Sequence, residues 1–267
     1  MSEYLLKAGE WDRVTPTSAG WRDLFFEVRR GPFSSRNEDV EVVLIPLSAS
    51  CRVRAANRSW ELGGRANVFD GMPWALYLPL GTEFEAECEG EVAVCAAHAE
   101  RRREPVLVTP DDVEVEVRGA GNATRQINHI VKPEFPADRI LVVEVFTPAG
   151  NWSSYPPHKH DENNPPDEVV LEETYYYRTA KPEAFAVQRL YSPSRDVDVT
   201  VTVRDGDLML VPFGYHTTAA AHGYDLYYLN ALAGDTRSMA AADDPELAWI
   251  RGAWSELEPD PRVPLVT

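Results

Sequence analysis

Short valine-rich runs, cut apart by proline and glycine, constrain this chain more than any other feature. They recur as Val40-Glu-Val-Val-Leu-Ile45, Val92-Ala-Val-Cys95, Val113-Glu-Val-Glu-Val117, Ile140-Leu-Val-Val-Glu-Val-Phe146 and Val197-Asp-Val-Thr-Val-Thr-Val203. The third and the last alternate strictly between apolar and polar residues. Successive side chains of a strand point to opposite faces, so the alternation predicts half-buried strands. With 21 prolines and 16 glycines scattered throughout, the segments between them are short. One stretch reads as a helix, Asp243-Asp-Pro-Glu-Leu-Ala-Trp-Ile-Arg-Gly252. There an Asp can cap, Pro245 sits in the first turn and Gly252 can end the helix. The predicted fold class is all-β, antiparallel sandwiches or barrels with few short helices.

A weak internal repeat suggests two such units. Gly71-Met-Pro-Trp-Ala-Leu-Tyr-Leu-Pro79-Leu-Gly81 and Gly206-Asp-Leu-Met-Leu-Val-Pro212-Phe-Gly214 each run from a glycine through an apolar strand to Pro-x-Gly. They lie about half a chain length apart. The expected domains are residues 1–124 and 125–267. The first copy has Glu83 where the second has His216, and it has no His-x-His. Only the second unit is therefore expected to carry a metal site.

Composition removes several function classes. The formal net charge of -17 repels nucleic acid and anionic lipid. The one basic cluster, Arg101-Arg102-Arg103, is flanked by Glu100 and Glu104 and reads as a solvated turn. No apolar run is long enough to span a bilayer. The first residues, Met1-Ser-Glu-Tyr-Leu-Leu-Lys, show no basic segment leading into an apolar one, so a cytoplasmic protein is expected. Cys51, Cys88 and Cys95 are odd in number and form no CxxC pair; structural thiols in a reducing compartment are expected. The expected partner is a small molecule, and the oligomeric state is left open.

The chemistry gathers around His158-Lys-His160. Side chains two apart in an extended segment share a face. Glu173 and His216 follow, and three imidazoles with one carboxylate suit Zn, Mn, Fe or Ni while leaving positions for substrate. His-x-His alone reads equally well as a loop after Pro156-Pro157; the later carboxylate and third histidine favour the metal. Glu162 and Glu172 compete with Glu173. In a strand, Glu173, Tyr175 and Tyr177 share one face and Glu172, Thr174 and Tyr176 the other.

His-x-His, then Glu, then Gly-(x5)-Pro-x-Gly-x-His resembles the two metal motifs of the cupins, small β-barrels whose ligands project inward. The spacing departs from theirs: twelve residues separate His160 from Glu173, and Ala220 lies near the place where an Asn is frequent. Pro-Pro-His-Lys-His-Asp (156–161), Leu-Glu-Glu-Thr-Tyr-Tyr (171–176), Phe-Ala-Val-Gln-Arg-Leu-Tyr (185–191) and His-Gly-Tyr-Asp-Leu-Tyr-Tyr-Leu-Asn (222–230) resemble the 5-deoxy-glucuronate isomerase family of bacterial myo-inositol catabolism. The likeness covers most of residues 119–252 and is thin before that. It implies a tandem cupin (bicupin) fold and a carboxylate ligand immediately before Thr-Tyr-Tyr, which is Glu173. It also implies one divalent ion per chain, Zn or Mn before Fe or Ni. The implied reaction takes a sugar acid, 5-deoxy-D-glucuronate, to 5-dehydro-2-deoxy-D-gluconate through a metal-stabilised enediolate.

The remaining roles have several candidates. A general base could be His222, Tyr175, Tyr228 or a metal-bound hydroxide, although a tyrosine inside a barrel serves equally as packing. The substrate carboxylate calls for a guanidinium. Arg189 and Gln188 are both candidates for substrate binding, but they alternate, so only one can face the pocket. Arg189 shares a face with Phe185, Val187 and Tyr191, Gln188 the other with Ala186 and Leu190, and Arg189 on the apolar face is the expected anchor. Arg125 and Asn128 are further candidates for substrate binding. His98 and His129 read as an exposed and a structural histidine. Lys159 should point away from its neighbours, and the insertion 161–172 should border the pocket mouth. Two other functions fit the same ligands: a metal-dependent cupin dioxygenase and a non-catalytic sugar-acid-binding protein.

Overall fold

The valine runs form strands. Val40–Pro46, Ile140–Thr147 and Val197–Val203 are strands, Val92-Ala-Val-Cys95 lies inside the long strand Thr82–His98, and the third run yields Glu114–Arg118. The computed structural model describes residues 3–55 and 57–267, and its regular structure is almost entirely antiparallel strand. Glu114–Arg118 departs from expectation: Val115 and Val117 are each 42% exposed. It is the edge strand of its sheet, and the face that makes contacts is the polar one, through Glu116 to His129.

The predicted helix is shorter and starts later. It spans Trp249–Ala253, so Gly252 lies inside it. Asp243 instead ends a two-residue strand paired with His158, and its carboxylate binds Arg251. Asp244 opens a turn closed by the Leu247 N–H. A four-residue helix that periodicity did not reveal, Pro16–Ala19, is held by a capping box between Thr15 and Ser18.

Three sheets organise the chain. The amino-terminal strands build an eight-stranded sheet around Leu24–Asn37, Thr82–His98 and Val40–Pro46. Its long strands bend at a register shift between Arg30 and Gly31, so the sheet folds over a core of Val42, Leu44, Val53, Leu62 and Phe84. The carboxy-terminal strands form a seven-stranded and a five-stranded sheet around Val143, Val145, Tyr175, Tyr177 and Tyr228. The central strands of the seven-stranded sheet are buried on both faces. Ile140–Thr147, buried at every position, turns Val143 and Val145 into that interior and Ile140, Val142 and Phe146 toward the amino-terminal unit. The boundary expected at residues 124/125 falls between paired strands. Glu114–Arg118 pairs with Arg125–Val131, and Leu5–Leu6 pairs with Leu208–Val211, so both earlier strands belong to the later sheet.

The two units are tied by an exchange of carboxylates. Glu41 of the amino-terminal unit accepts the backbone N–H groups of Asp138, Arg139 and Ile140 at 2.7, 2.6 and 2.7 Å. Glu172 of the carboxy-terminal unit accepts those of Arg22, Asp23 and Leu24 at 2.5, 2.9 and 2.8 Å. Each triplet of donors leads into a strand and each acceptor stands at the start of one. The two clamps are reciprocal: each unit's carboxylate takes three backbone N–H groups from the other. Between the clamps, Arg65 binds Glu144 through two contacts of 3.2 and 2.8 Å, with both side chains buried. Asn128 donates to the same Glu144 at 2.9 Å. Asn128 is thus an interface residue, which corrects its expected place in a substrate pocket.

The cysteine expectation is also corrected. Cys51 and Cys88 stand opposite each other on adjacent strands and form a disulfide, leaving Cys95 as a buried free thiol. Among the described residues no helix is long and apolar enough to cross a membrane.

Candidate metal centre

The histidines come from the five-stranded sheet and its margin, and Glu173 from the seven-stranded sheet that faces it. Trp152–Lys159 pairs with Tyr215–Ala220, which sets His158 opposite His216. Glu173 lies in Glu172–Thr179, paired with Val211. Inward projection from facing sheets brings His160, Glu173 and His216 together, with one ligand atom from each lying within 4.8 Å of the others. All three side chains are buried.

The tautomers are fixed by backbone carbonyls. His160 Nδ1 lies 2.9 Å from Leu171 O, and His216 Nδ1 lies 3.1 Å from Gly214 O. A carbonyl only accepts, so each Nδ1 carries a proton and each neutral ring turns its Nε2 lone pair inward. His160 Nε2 is 2.9 Å and His216 Nε2 3.2 Å from Glu173 Oε2. Two lone pairs and a carboxylate oxygen thus face one point, an arrangement that is repulsive unless a cation or proton joins them. Despite that proximity, the buried His216 Nε2 makes no well-formed hydrogen bond among the described residues. These donors could hold a divalent metal ion.

The electrostatics agree. Burial works against ionisation of Glu173, but the imidazoles of His160 and His216 outweigh it and hold its pKa at about 2. Burial likewise disfavours charge on His160, yet the Glu173 carboxylate raises its pKa, so the site draws positive charge onto that axis. His158 lies just outside the three-residue group. Its ring centroid is 4.6 Å from that of His216 and 6.4 Å from that of His160. Burial, then His216 and His160, press its pKa well below 6.5, and its buried Nδ1 has no partner. Glu172 points to the opposite face and spends both oxygens on the interdomain N–H groups.

Tyr175 and Tyr228 line the same interior. Their ring centroids are 4.9 Å apart, and that of Tyr175 is 5.7 Å from His216. The Tyr175 hydroxyl contacts Ser154 Oγ at 3.0 Å and the Tyr228 hydroxyl contacts Ser153 Oγ at 2.5 Å. Burial raises the pKa of both phenols. They keep their protons near neutral pH, the state of a donor and not of the base that sequence suggested. Gln188 is fully buried on the inner face and accepts from the Tyr177 hydroxyl at 2.7 Å.

Two other expectations are corrected. Arg189 is on the outer face, paired with Asp198 at 2.9 and 2.7 Å and lying over the Tyr191 ring. It lines a surface cleft of about 830 Å³ with Asp198 and Asp244, none of which belongs to the histidine group. His222 is exposed in the turn beyond Tyr215–Ala220, at the far end of that strand from His216. Arg125, in contrast, is buried and shares the barrel-facing side of its strand with Ile127. As expected, Lys159 turns away, to Asp161 and Glu168 at 2.9 Å each.

The insertion is a tied strap. Glu168 accepts the N–H groups of Asp161 and Glu162, and Asp161 Oδ2 accepts the Gly214 N–H at 2.9 Å. The strap therefore supplies the carbonyl that orients His160 and grips the residue whose carbonyl orients His216. These supports were not found in the sequence because backbone atoms do the orienting. For Ser153 and Ser154 the one sequence signal was their place before Tyr155-Pro156, whose peptide bond is cis.

Residues 6–250 match the KduI/IolB family. A curated relative from Geobacillus kaustophilus, named 5-deoxy-glucuronate isomerase, is 43% identical over 246 residues, 89% of each chain. The crystal structure of an iolb-like protein from Salmonella typhimurium superposes with a TM-score of 0.89 at 34% identity, covering 93% of this chain and 99% of that one. Oxalate decarboxylase from Lactobacillus farciminis shares the fold at 12% identity, with a TM-score of 0.61 over 86% of this chain and 82% of its own. The extent of the family match and the close curated relative place the chain in the KduI/IolB family.

Proposed function

We propose that this chain is a metal-dependent aldose–ketose isomerase that converts 5-deoxy-D-glucuronate to 5-dehydro-2-deoxy-D-gluconate. The observation that carries the metal reading is the convergence of His160 Nε2 and His216 Nε2 on one Glu173 oxygen while both Nδ1 atoms are held by carbonyls. The substrate reading comes from the 43% identical isomerase. His160, Glu173 and His216 would hold the ion, and the neutral, unpartnered ring of His158 would supply the fourth donor. Three nitrogens and one oxygen suit Zn or Mn, with Fe and Ni also accommodated.

The reaction removes a proton from the carbon next to the aldehyde and delivers one to the former aldehyde carbon, by way of an enediolate. When bound, the cation supplies Lewis-acid stabilisation for the negative charge that develops on the substrate oxygens. The chain's own side chains supply hydrogen-bond donors and orient the ligand rings. Tyr175 and Tyr228 present neutral hydroxyls held by Ser154 and Ser153, ready to donate where oxygen gains charge. The strap keeps the imidazoles in one tautomer.

The test is an isomerase assay on protein of known metal content. Ketose should form in proportion to bound metal, and in deuterated water the product should carry deuterium at the former aldehyde carbon. Metal-loaded protein that forms no ketose from 5-deoxy-glucuronate would overturn the reading.

A further inference from the structure

Arg125 is buried to 3% exposure yet makes no ion pair with any acid among the described residues. Its Nη1 donates to two backbone carbonyls, Ala123 O at 3.1 Å and Tyr155 O at 3.2 Å. Among the described residues no carboxylate lies within ion-pair distance of it. The charges around it are already matched: Arg118 with Glu116, which also binds His129, and Arg251 with Asp243. A guanidinium withdrawn from water without an anion is costly, and such groups are normally paired. Burial first, reinforced by the nearby Arg118 and Arg251 charges and only partly opposed by Tyr228 and Glu116, pulls its pKa down to about 10, so it is still charged at neutral pH.

Its position is as telling as its lack of a partner. Arg125 starts the strand Arg125–Val131 and shares its inner face with Ile127, part of the same core as Tyr175 and Tyr228. The bond to Tyr155 O carries the guanidinium across to the strand of the histidines, three residues before His158. On the neighbouring strand Gln126 pairs with Phe146, so Thr147 is the next residue beside Arg125. The Thr147 hydroxyl is buried and has no hydrogen-bond partner among the described residues. Gln188, on the same interior, has an unpartnered Nε2. The Trp254 ring lies 5.7 Å from the guanidinium carbon and shields it.

We propose that Arg125 receives the carboxylate of the substrate and makes the site selective for sugar acids over neutral sugars. The assignment rests on the isomerase reading for the identity of the acid, but the buried unmatched charge argues for a carboxylate-bearing ligand independently. Arg125 grips one end of the substrate while the histidine group takes the aldehyde end. A fork of parallel N–H donors fits a carboxylate better than any other ligand group of a sugar acid.

The test compares binding of two non-reacting ligands by calorimetry: L-gulonate, the acid left when the aldehyde of glucuronate is reduced, and D-glucitol, its neutral counterpart. Arg125→Gln should weaken L-gulonate binding roughly 10- to 100-fold, the range for a hydrogen-bonded charge, and leave D-glucitol binding and metal content unchanged. In turnover, KM for 5-deoxy-glucuronate should rise more than kcat falls. Equal loss for both ligands, or no loss for either, would show that Arg125 only ties two strands together. Should Arg125→Gln fail to fold, Arg125→Lys gives the answer: it keeps the cation but loses the fork, so part of the preference for the acid should survive. An Arg125→Lys protein that weakens both ligands alike overturns the proposal. Wild-type protein that prefers L-gulonate but makes no ketose would retain the role of Arg125 and remove the isomerase reading.

Discussion

The two β units share a scaffold and bury opposite chemistry. Gly81 and Gly214 end the matching Pro-x-Gly turns with φ of +71° and +82°, and the carboxylates of Glu41 and Glu172 clasp the opposite unit in the same way. Yet the amino-terminal interior is built from Val42, Leu44, Val53, Leu62 and Phe84, whereas the other contains Tyr175, Tyr177 and Tyr228 with Gln188 and His216 buried among them. The residue two after the turn shows the divergence best. Glu83 is exposed, and His216 is fully buried. A β unit can therefore serve as pure packing or as a polar chamber, and inward side chains decide which.

The largest effect should come from removing that difference. His216→Ala deletes a buried donor of the metal group, and bound metal and turnover should both fall to background. The fold should persist, because the core between the units and the amino-terminal core lie away from His216. Elemental analysis and a ketose assay check this; a variant with full metal content and activity would falsify the site. Adding a chelator should lower the Tm of the wild type, since an ion that binds only the folded state stabilises it by about 2.7 kcal/mol at 100 times its Kd. The same chelator should leave the Tm of His216→Ala unmoved.

Next comes the pair of adjacent glutamates, which separates the site from the scaffold. Glu172→Ala leaves three interdomain N–H groups without their acceptor and should cost about 3 kcal/mol of stability. Glu173→Ala should remove the metal instead and have little influence on the interface. Denaturant unfolding and metal content, measured on both variants, give the contrast. If Glu172→Ala lost its metal and Glu173→Ala did not, the register assigned to this strand would be wrong.

The strap offers a smaller effect. Asp161→Ala removes the acceptor of the Gly214 N–H, and through it the support of the His216 ring. Partners of this kind typically change metal affinity roughly 10- to 100-fold, and the lower end is expected because Gly214 O itself stays in place. Competition with a metal-binding dye measures the change.

Much of this was legible in the sequence, for reasons particular to each residue. Strict alternation placed Val197–Val203 and separated Glu173 from Glu172, since a period of two follows from strand geometry. His158, His160 and His216 stood out because few other roles require that many histidines near a carboxylate. Asn128 was misread because its partner Glu144 is on another strand and Arg65 comes from the other unit. The Cys51–Cys88 bond likewise depends on a register between strands far apart in sequence. No local pattern encodes either.

Arg189 and Gln188 give the smallest effect and the clearest lesson. Arg189 sits with Phe185, Val187 and Tyr191, which looked like the buried face because it is more apolar. The opposite face is the inner one: Ala186, Gln188 and Leu190 are buried, whereas Phe185 is 41% exposed. Apolar faces turn inward where the interior is only packing; where it is a chamber for a polar ligand, a glutamine is tolerated inside and the rule weakens. Arg189→Ala should therefore leave KM and metal content unchanged and alter stability by no more than about 0.5 kcal/mol, the scale of an exposed ion pair. Gln188→Ala, which leaves the Tyr177 hydroxyl only the longer contact to Thr218 Oγ1 at 3.5 Å, should lower the Tm further than Arg189→Ala does. Parallel melting and kinetic measurements decide the order, and a larger KM change for Arg189→Ala than for Gln188→Ala would reverse the assignment of inside and outside on this strand.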